Sequence, residues 1–345
     1  MENPADQTIA LPVGWRALTP GPSDVPDLHA LRAAHETAAR GTTGAGLADV
    51  ETEVVGDGAA VRTHLLVRDA AGAARGWATV HDRAAGRVLV AALVDPALDG
   101  PEADALAAAL LAWAEGTAAE VARGRDLTAT QLDSGAFEPD ARQQRWLAAA
   151  GYTRVRTWLQ MSRPVQDDDR GPAAEPAPGA VVRPVRRAAD GMPDEADLVA
   201  VHDVLEQAFA DHFNHHEETF DEFLDRLRAD PGHRWDHWWL GELVDGDVHR
   251  PAGALVAGAS LDADGTPVGS YVEYLGVLRT ARGRGLASAL LDAVVTDAAE
   301  RGRRSVGLEV DADSPTGAAD LYRSLGFETK YVTQSWHREI TLGTP

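Results

Sequence analysis

The chain has 345 residues, enough for two domains of ordinary size, with 44% hydrophobic and 25% charged residues, a composition typical of a globular protein. The net charge of −22 argues against nucleic acid and anionic membranes as partners, because both need a basic surface. Cysteine is absent, which excludes disulfides, thiolate metal sites and a cysteine nucleophile. The first residues, Met1-Glu2-Asn3-Pro4, lack a basic stretch followed by an apolar run, so no secretory signal is expected. The expected compartment is the cytoplasm.

In chain order, residues 15–20 form a short strand candidate and 27–39 a helix. Strand candidates follow at 61–68, 76–81 and 87–94, separated by Ala/Gly turns. Pro101 stands at a favourable first-turn position of an Ala/Leu-rich helix over 101–121. A strand at 127–132, a helix at 141–150 and a strand pair within 152–161 close this set. Residues 166–179 are charged, rich in Pro, Gly and Ala, and unpatterned, and read as a linker.

After the linker the order repeats. A strand at 181–184 leads to helices at 197–209 and 219–228, then strands at 238–244, 254–261 and 270–277. A glycine-rich basic loop opens a helix running to Arg301, followed by a strand at 305–310, a helix at 316–325 and strands over 327–340. Trp146-Leu147-Ala148-Ala149-Ala150-Gly151-Tyr152 aligns with Leu321-Tyr322-Arg323-Ser324-Leu325-Gly326-Phe327: each ends a helix on glycine and enters a strand on an aromatic residue. The layout is an internal duplication of one α/β unit: 1–165, a linker at 166–179, and 180–345.

The two copies differ in chemistry. Arg282-Gly283-Arg284-Gly285-Leu286-Ala287 follows a strand and opens a helix, which gathers free backbone N–H groups at a positive helix terminus. It reads as a phosphate or pyrophosphate cradle; the alternative is a plain exposed strand–helix turn. The first copy has Asp95-Pro96-Ala97-Leu98-Asp99-Gly100-Pro101 there, which is acidic, proline-containing and repels phosphate. Leu147 stands where the second copy has Tyr322. The first copy is read as degenerate, with a structural or substrate-shaping part.

The glycine motif and the downstream Leu321-Tyr322-x-x-x-Gly326-Phe327 together resemble the signature of GNAT-superfamily N-acetyltransferases over about residues 180–340. The duplicated layout resembles tandem-GNAT, mycothiol-synthase-like proteins. The resemblance implies an α/β fold of two tandem GNAT-like domains, each a mixed, mostly antiparallel sheet flanked by helices. It also implies acetyl-CoA as co-substrate, bound where two strands splay apart. The pyrophosphate then lies on Arg282 to Ala287, and the pantetheine along Leu275 and Val277, with Ser314 beside it where the family commonly has Asn. Tyr322 is the implied acid for the departing thiolate; a phenol near pKa ~10 stays protonated at neutral pH. The alternative for Tyr322 is a core aromatic.

An attacking amine must be neutral, and Glu273 is the candidate base. It alternates with Leu275 and Val277, which predicts a shared pleat face; a solvated or salt-bridged strand carboxylate is the other reading. The polar stretch 211–218 supplies a candidate acceptor wall, Asp211, His212, Asn214 and His215, or a solvated loop. Its spacing matches no standard metal motif, and no metal is expected. Trp235, Trp238 and Trp239 read as strand core. The expected activity is N-acetylation of a primary amine on a small molecule or peptide in a ternary complex, by a monomer or homodimer. The alternatives are a non-catalytic acyl-CoA-binding sensor or pseudoenzyme, and a protein N-terminal acetyltransferase.

Overall fold

The computed structural model describes residues 9–44, 46–83, 87–189, 191–210, 218–228, 233–262, 265–314 and 317–342. The chain forms two compact units, one of Met1–Trp158, Asp311–Asp313 and Tyr331–Pro345, the other of Leu159–Val310 and Ser314–Lys330.

The elements in chain order begin with β1 (Arg16–Leu18), α1 (Val25–Arg40), α2 (Leu47–Val54), β2 (Arg62–Arg68), β3 (Ala74–Arg83) and β4 (Arg87–Val94). Next come α3 (Gly100–Gly124), β5 (Ala129–Phe137), α4 (Ala141–Ala149) and β6 (Thr153–Pro164). The second half holds β7 (Ala180–Pro184), α5 (Glu195–Phe209), α6 (Phe220–Arg228), β8 (His233–Asp245), β9 (Val248–Leu261) and β10 (Pro267–Val277). It ends with α7 (Leu286–Glu300), β11 (Ser305–Asp311), α8 (Ala318–Ser324) and β12 (Glu328–Thr341).

In the first unit the strand order is β1-β2-β3-β4-β5-β12, antiparallel except for β4 and β5. Those two run parallel and pair only from Arg87↔Gln131 to Leu89↔Asp133. One face packs against α3 through Leu106, Leu110 and Trp113, with Val80, Val90 and Leu132 from the sheet. The other face packs against α1 and α2 through Leu28, Leu31, Val50 and Val54, with Leu66 and Trp77. Helix α3 is long and apolar enough to cross a membrane. Here its apolar side is the core of the unit.

In the second unit the order is β6-β11-β10-β9-β8-β7. The pairings of β7 to β8, β8 to β9 and β9 to β10 are antiparallel, and β10 and β11 are parallel. Helices α7 and α8 cover one face: Leu290, Leu291, Val294 and Tyr322 pack with Leu255, Val272 and Leu308. Helices α5 and α6 cover the other, where Val201, Leu205, Phe223 and Leu227 pack with Leu240 and Val256. The amphipathic period of each helix therefore matches the pleat it covers, and each unit is a mixed, mostly antiparallel sheet between helices.

Three features depart from the sequence reading. Helix α2 was not expected, because Val and Thr lower helix propensity there; burial of Val50 and Val54 outweighs it. The stretch read as a strand pair near 152–161 is the single strand β6, which has no turn residue inside it. And β12 pairs with β5 from Thr333↔Phe137 to Thr341↔Ala129, so from Tyr331 onward the end of the chain belongs to the first unit.

Candidate functional site

The parallel ladder between β10 and β11 spans only Ser270↔Val306, Tyr271↔Gly307 and Val272↔Leu308. Beyond it, β10 still pairs with β9, through Tyr274↔Val256, Leu275↔Leu255, Gly276↔Ala254 and Val277↔Gly253, but no longer with β11. The two strands part, and residues 273–277 present an edge to the opening. Among the positions named from sequence, Leu275 and Val277 lie on this edge and pack into the core under α7.

Glu273 stands at the head of the same segment, at a bulge. Val272 opposes Ala257 and Tyr274 opposes Val256, so β10 carries one residue more than β9. Val272, Leu275 and Val277 all belong to the core under α7, whereas Tyr274 packs with α5 and α6. The break in alternation falls between Val272 and Tyr274, the two neighbours of Glu273.

At the end of β10 the chain makes a short 3-10 turn (Arg279–Ala281) and then the glycine loop. Ala281 and Leu286 are buried and anchor the loop from below, with Ala180 and Ala252. Arg282, Gly283, Arg284 and Gly285 are exposed above them, and Ala287 is half-buried. Gly283 has φ +77° and Gly285, the N-cap of α7, φ +74°. Both are left-handed, and side-chain-bearing residues adopt that conformation only at a cost. The first helical bond runs from Ala289 N–H to Gly285 C=O at 3.0 Å. The amides of Leu286, Ala287 and Ser288 therefore precede the helical ladder. Arg282 and Arg284 form no salt bridge with a described residue, although acidic side chains outnumber basic ones 54 to 32. Two uncommitted guanidiniums, free amides and a helix N-terminus make a site for an anion.

Residues 166–179, read from sequence as an unpatterned linker, run along α7 toward this loop. Val165 N–H donates to Arg304 C=O at 2.9 Å, Ala174 N–H to the Asp292 carboxylate, and Ala177 N–H to Arg284 C=O at 3.1 Å. Pro176 Cα and Ala177 N lie 3.8 and 3.7 Å from where a Cβ on Gly285 would sit. No periodicity marks this strap, because its bonds are made by backbone and not by side-chain pattern.

Tyr322, on α8, is only 9% exposed. It lies in the core shared with Leu275 and Val277 of β10 and Leu308 and Val310 of β11, its ring 6.0 Å from Phe327. Burial pushes its phenol up to about 12, so it is protonated at neutral pH. Its hydroxyl forms no hydrogen bond with a described residue. Ser314 is half-buried at the end of β11. Asp211, His212, Asn214 and His215 lie outside the described residues. Trp238 and Trp239 are buried in the two cores of the unit, and Trp235 packs at the edge of one. No group of three or more His, Asp or Glu among the described residues could hold a metal ion.

The corresponding place in the first unit is closed by its own side chains. Asp95 accepts from Ala97 N–H at 2.9 Å and pairs with Arg75 at 2.6 Å, and Arg142 donates to Leu98 C=O at 2.6 Å. Asp99 is the N-cap of α3, Pro101 stands in its first turn, and Leu147 is buried in the core. An anion meets carboxylates there instead of amides.

Residues 198–327 match the model of the acetyltransferase (GNAT) family. Over 97% of this chain and 98% of the other, the fold is similar to a GCN5-related N-acetyltransferase from Sphaerobacter thermophilus, at 26% identity and a TM-score of 0.76. A tandem GNAT protein from the clavulanic acid biosynthesis pathway is similar over 94% of this chain and 98% of its own, at 17% identity and a TM-score of 0.63, a likeness of fold. An uncharacterised N-acetyltransferase of Methanocaldococcus jannaschii is 42% identical over 59 residues, which is 17% of this chain and 26% of that relative's length.

Proposed function

Since residues 198–327 are a GNAT-type acyltransferase domain, set in a chain with the tandem-GNAT fold, we propose that the protein moves an acetyl group from acetyl-CoA to a primary amine. The acceptor belongs to a small molecule or peptide and attacks directly in a ternary complex. The observation that carries the reading is the second unit's open, arginine-flanked glycine cradle, with Tyr322 packed in the core that Leu275 and Val277 of the open edge share. At the corresponding place the first unit has the acidic loop Asp95–Pro101, closed by Arg75 and Arg142.

The residues fit the co-substrate. The amides of Gly283 to Ala287 with Arg282 and Arg284 suit a pyrophosphate, the edge at Leu275 and Val277 suits an extended amide-bearing arm, and Ser314 is assigned a polar contact to that arm. Acetyl-CoA supplies an acyl group activated as a thioester, with a thiolate of pKa ~8.5 as leaving group. Tyr322 holds its proton throughout the neutral range and donates a hydrogen bond to the sulfur as negative charge develops there. Complete transfer from a phenol near 12 to such a thiolate is uphill by about 5 kcal/mol, so the hydrogen bond is the useful interaction. Glu273, at the bulge heading the open edge, takes the proton of the incoming ammonium, directly or through water. An amine near pKa ~10.4 costs ~4–5 kcal/mol to deprotonate at pH 7, which is the work the base assists.

The test is release of free CoA from acetyl-CoA by the full chain with a panel of primary amines. Amine-dependent release supports the reading. Tight CoA binding with no release across a broad panel sinks it in favour of a binding protein.

A further inference from the structure

We propose that the groove between the strap, strand β7 and the second half of α7 docks an extended basic segment of another protein, which adds as a strand to the free edge of β7.

The free edge follows from the register. Strand β7 is the last of its sheet and pairs only with β8. Val244 N–H donates to Gly179 C=O at 2.8 Å, and Val185 N–H to Trp238 C=O at 2.9 Å. In an antiparallel pair alternate residues turn their backbone groups to the partner. Val181 and Arg183 therefore face β8, while Ala180, Val182 and Pro184 face outward. Two of these three are already served. Ala180 N–H donates to Ala177 C=O at 3.1 Å; Pro184 has no N–H, and its C=O accepts from the Arg183 guanidinium at 3.2 Å. Val182 N–H and C=O form no hydrogen bond with a described residue on that side, although Val182 is half-buried. A half-buried donor and acceptor on one residue, midway along an edge strand, are what an added strand pairs with.

This edge opens into a cavity of about 910 Å³, lined also by Ala173 to Pro176 of the strap and by Ala293, Asp297 and Glu300 of α7. The five residues of β7 span about 16 Å, room for a segment of similar length. The cradle lies elsewhere, at the first turn of α7.

Charge on the walls selects a basic segment. Glu175 on the strap and Glu300 on α7 are exposed and form no salt bridge with a described residue. Arg301 is shared between Asp236 and Asp297 at 2.8 Å each, one cation for two carboxylates. Burial pushes the Asp297 carboxyl above its ordinary range, and the Asp236 charge adds to this. Arg183 is held by Asp197 and Glu242 at 2.7 Å each, which leaves Arg187 as the lining cation without a carboxylate among the described residues. A lysine or arginine entering between Glu175 and Glu300 meets carboxylates that nothing in the groove neutralises.

The probe is a fluorescein-labelled heptapeptide of alternating lysine and valine, titrated with the full chain by fluorescence polarisation. A chain of net charge −22 attracts any basic peptide, so main-chain pairing is what has to be isolated. N-methylation of alternate peptide residues removes the N–H groups on one side of the peptide strand only, and it can be made in two phases. One phase should bind about tenfold or more weakly than the unmethylated peptide, and the other should bind like it. Val182→Pro deletes the outward N–H, which an edge strand tolerates, and should weaken the unmethylated peptide by about tenfold or more with little change in melting temperature. Glu175→Gln combined with Glu300→Gln should weaken it by about threefold to tenfold. Equal affinity of the two phases, or a folded Val182→Pro or a double glutamine variant that binds like wild type, overturns the inference. So does an absence of binding up to about 1 mM. If Val182→Pro does not fold, the two methylation phases decide.

Discussion

Replacing Gly285 with valine separates the cradle's conformation from its chemistry. Gly285 caps α7 at φ +74°, and a Cβ placed there meets nothing closer than Ala177 N at 3.7 Å. The first side-chain carbon therefore fits, and the substitution's structural cost is the left-handed backbone, about 1–2 kcal/mol. That corresponds to a fall of about 2–8 °C in melting temperature for a unit of this size. The effect on CoA should be much larger, because the side chain covers amides that a pyrophosphate needs. Losing two charge-assisted bonds of about 1.5–3 kcal/mol each weakens binding by about a hundredfold to ten-thousandfold. Gly302 supplies the control: it lies just past the other end of α7 at φ +71°, with nothing within 4 Å of its would-be Cβ. Gly302→Val carries the same backbone strain and should bind CoA like wild type. Calorimetric titration with CoA and thermal melting of both variants read the two quantities. Equal CoA affinity in Gly285→Val and Gly302→Val would refute the cradle argument.

Tyr322→Phe should lower kcat by about a hundredfold or more, the usual worth of a positioned acid, with CoA affinity little changed. Its melting temperature should not fall, since the hydroxyl has no partner to orphan and the ring contact with Phe327 at 6.0 Å is kept; an unaltered kcat removes Tyr322 from the chemistry. A pH effect is expected from His237, which is 1% exposed and pushed down to about 4 by burial and the charges of Arg303 and Arg301. Between its ordinary value of 6.5 and about 4 the unfolded chain binds a proton that the folded chain refuses, so stability falls as pH drops through that window. His237→Gln should flatten the dependence of melting temperature on pH there, and identical slopes in wild type and variant contradict this assignment.

The cradle was legible because glycine and arginine act through their identity. Positive φ, free amides and unpaired charge follow from residue type at a strand–helix junction, and the structure places Gly283, Gly285, Arg282 and Arg284 in that way. Tyr322 stands out in the sequence for a similar reason, as a phenol at a fixed offset before Gly326 and Phe327. The acidic, proline-containing loop of the first copy likewise announced its closed form through Asp95, Asp99 and Pro101. Pairing partners were not legible, since alternation says which face a residue takes and not which strand lies beside it. Thus β12 reads as the last strand of the second copy, yet pairs with β5. The bulge at Val272 and Tyr274 was hidden for the same reason: an inserted residue leaves no mark on composition. The strap at Ala174 and Ala177 is held by backbone bonds to Asp292 and Arg284, which no side-chain pattern records.

The central claim is that the second unit alone takes acyl-CoA, at the α7 cradle. Isothermal titration of the full chain with acetyl-CoA tests it most directly. One molecule bound per chain, lost in Gly285→Val, is the predicted result; two per chain, or one that survives Gly285→Val at full affinity, contradicts it.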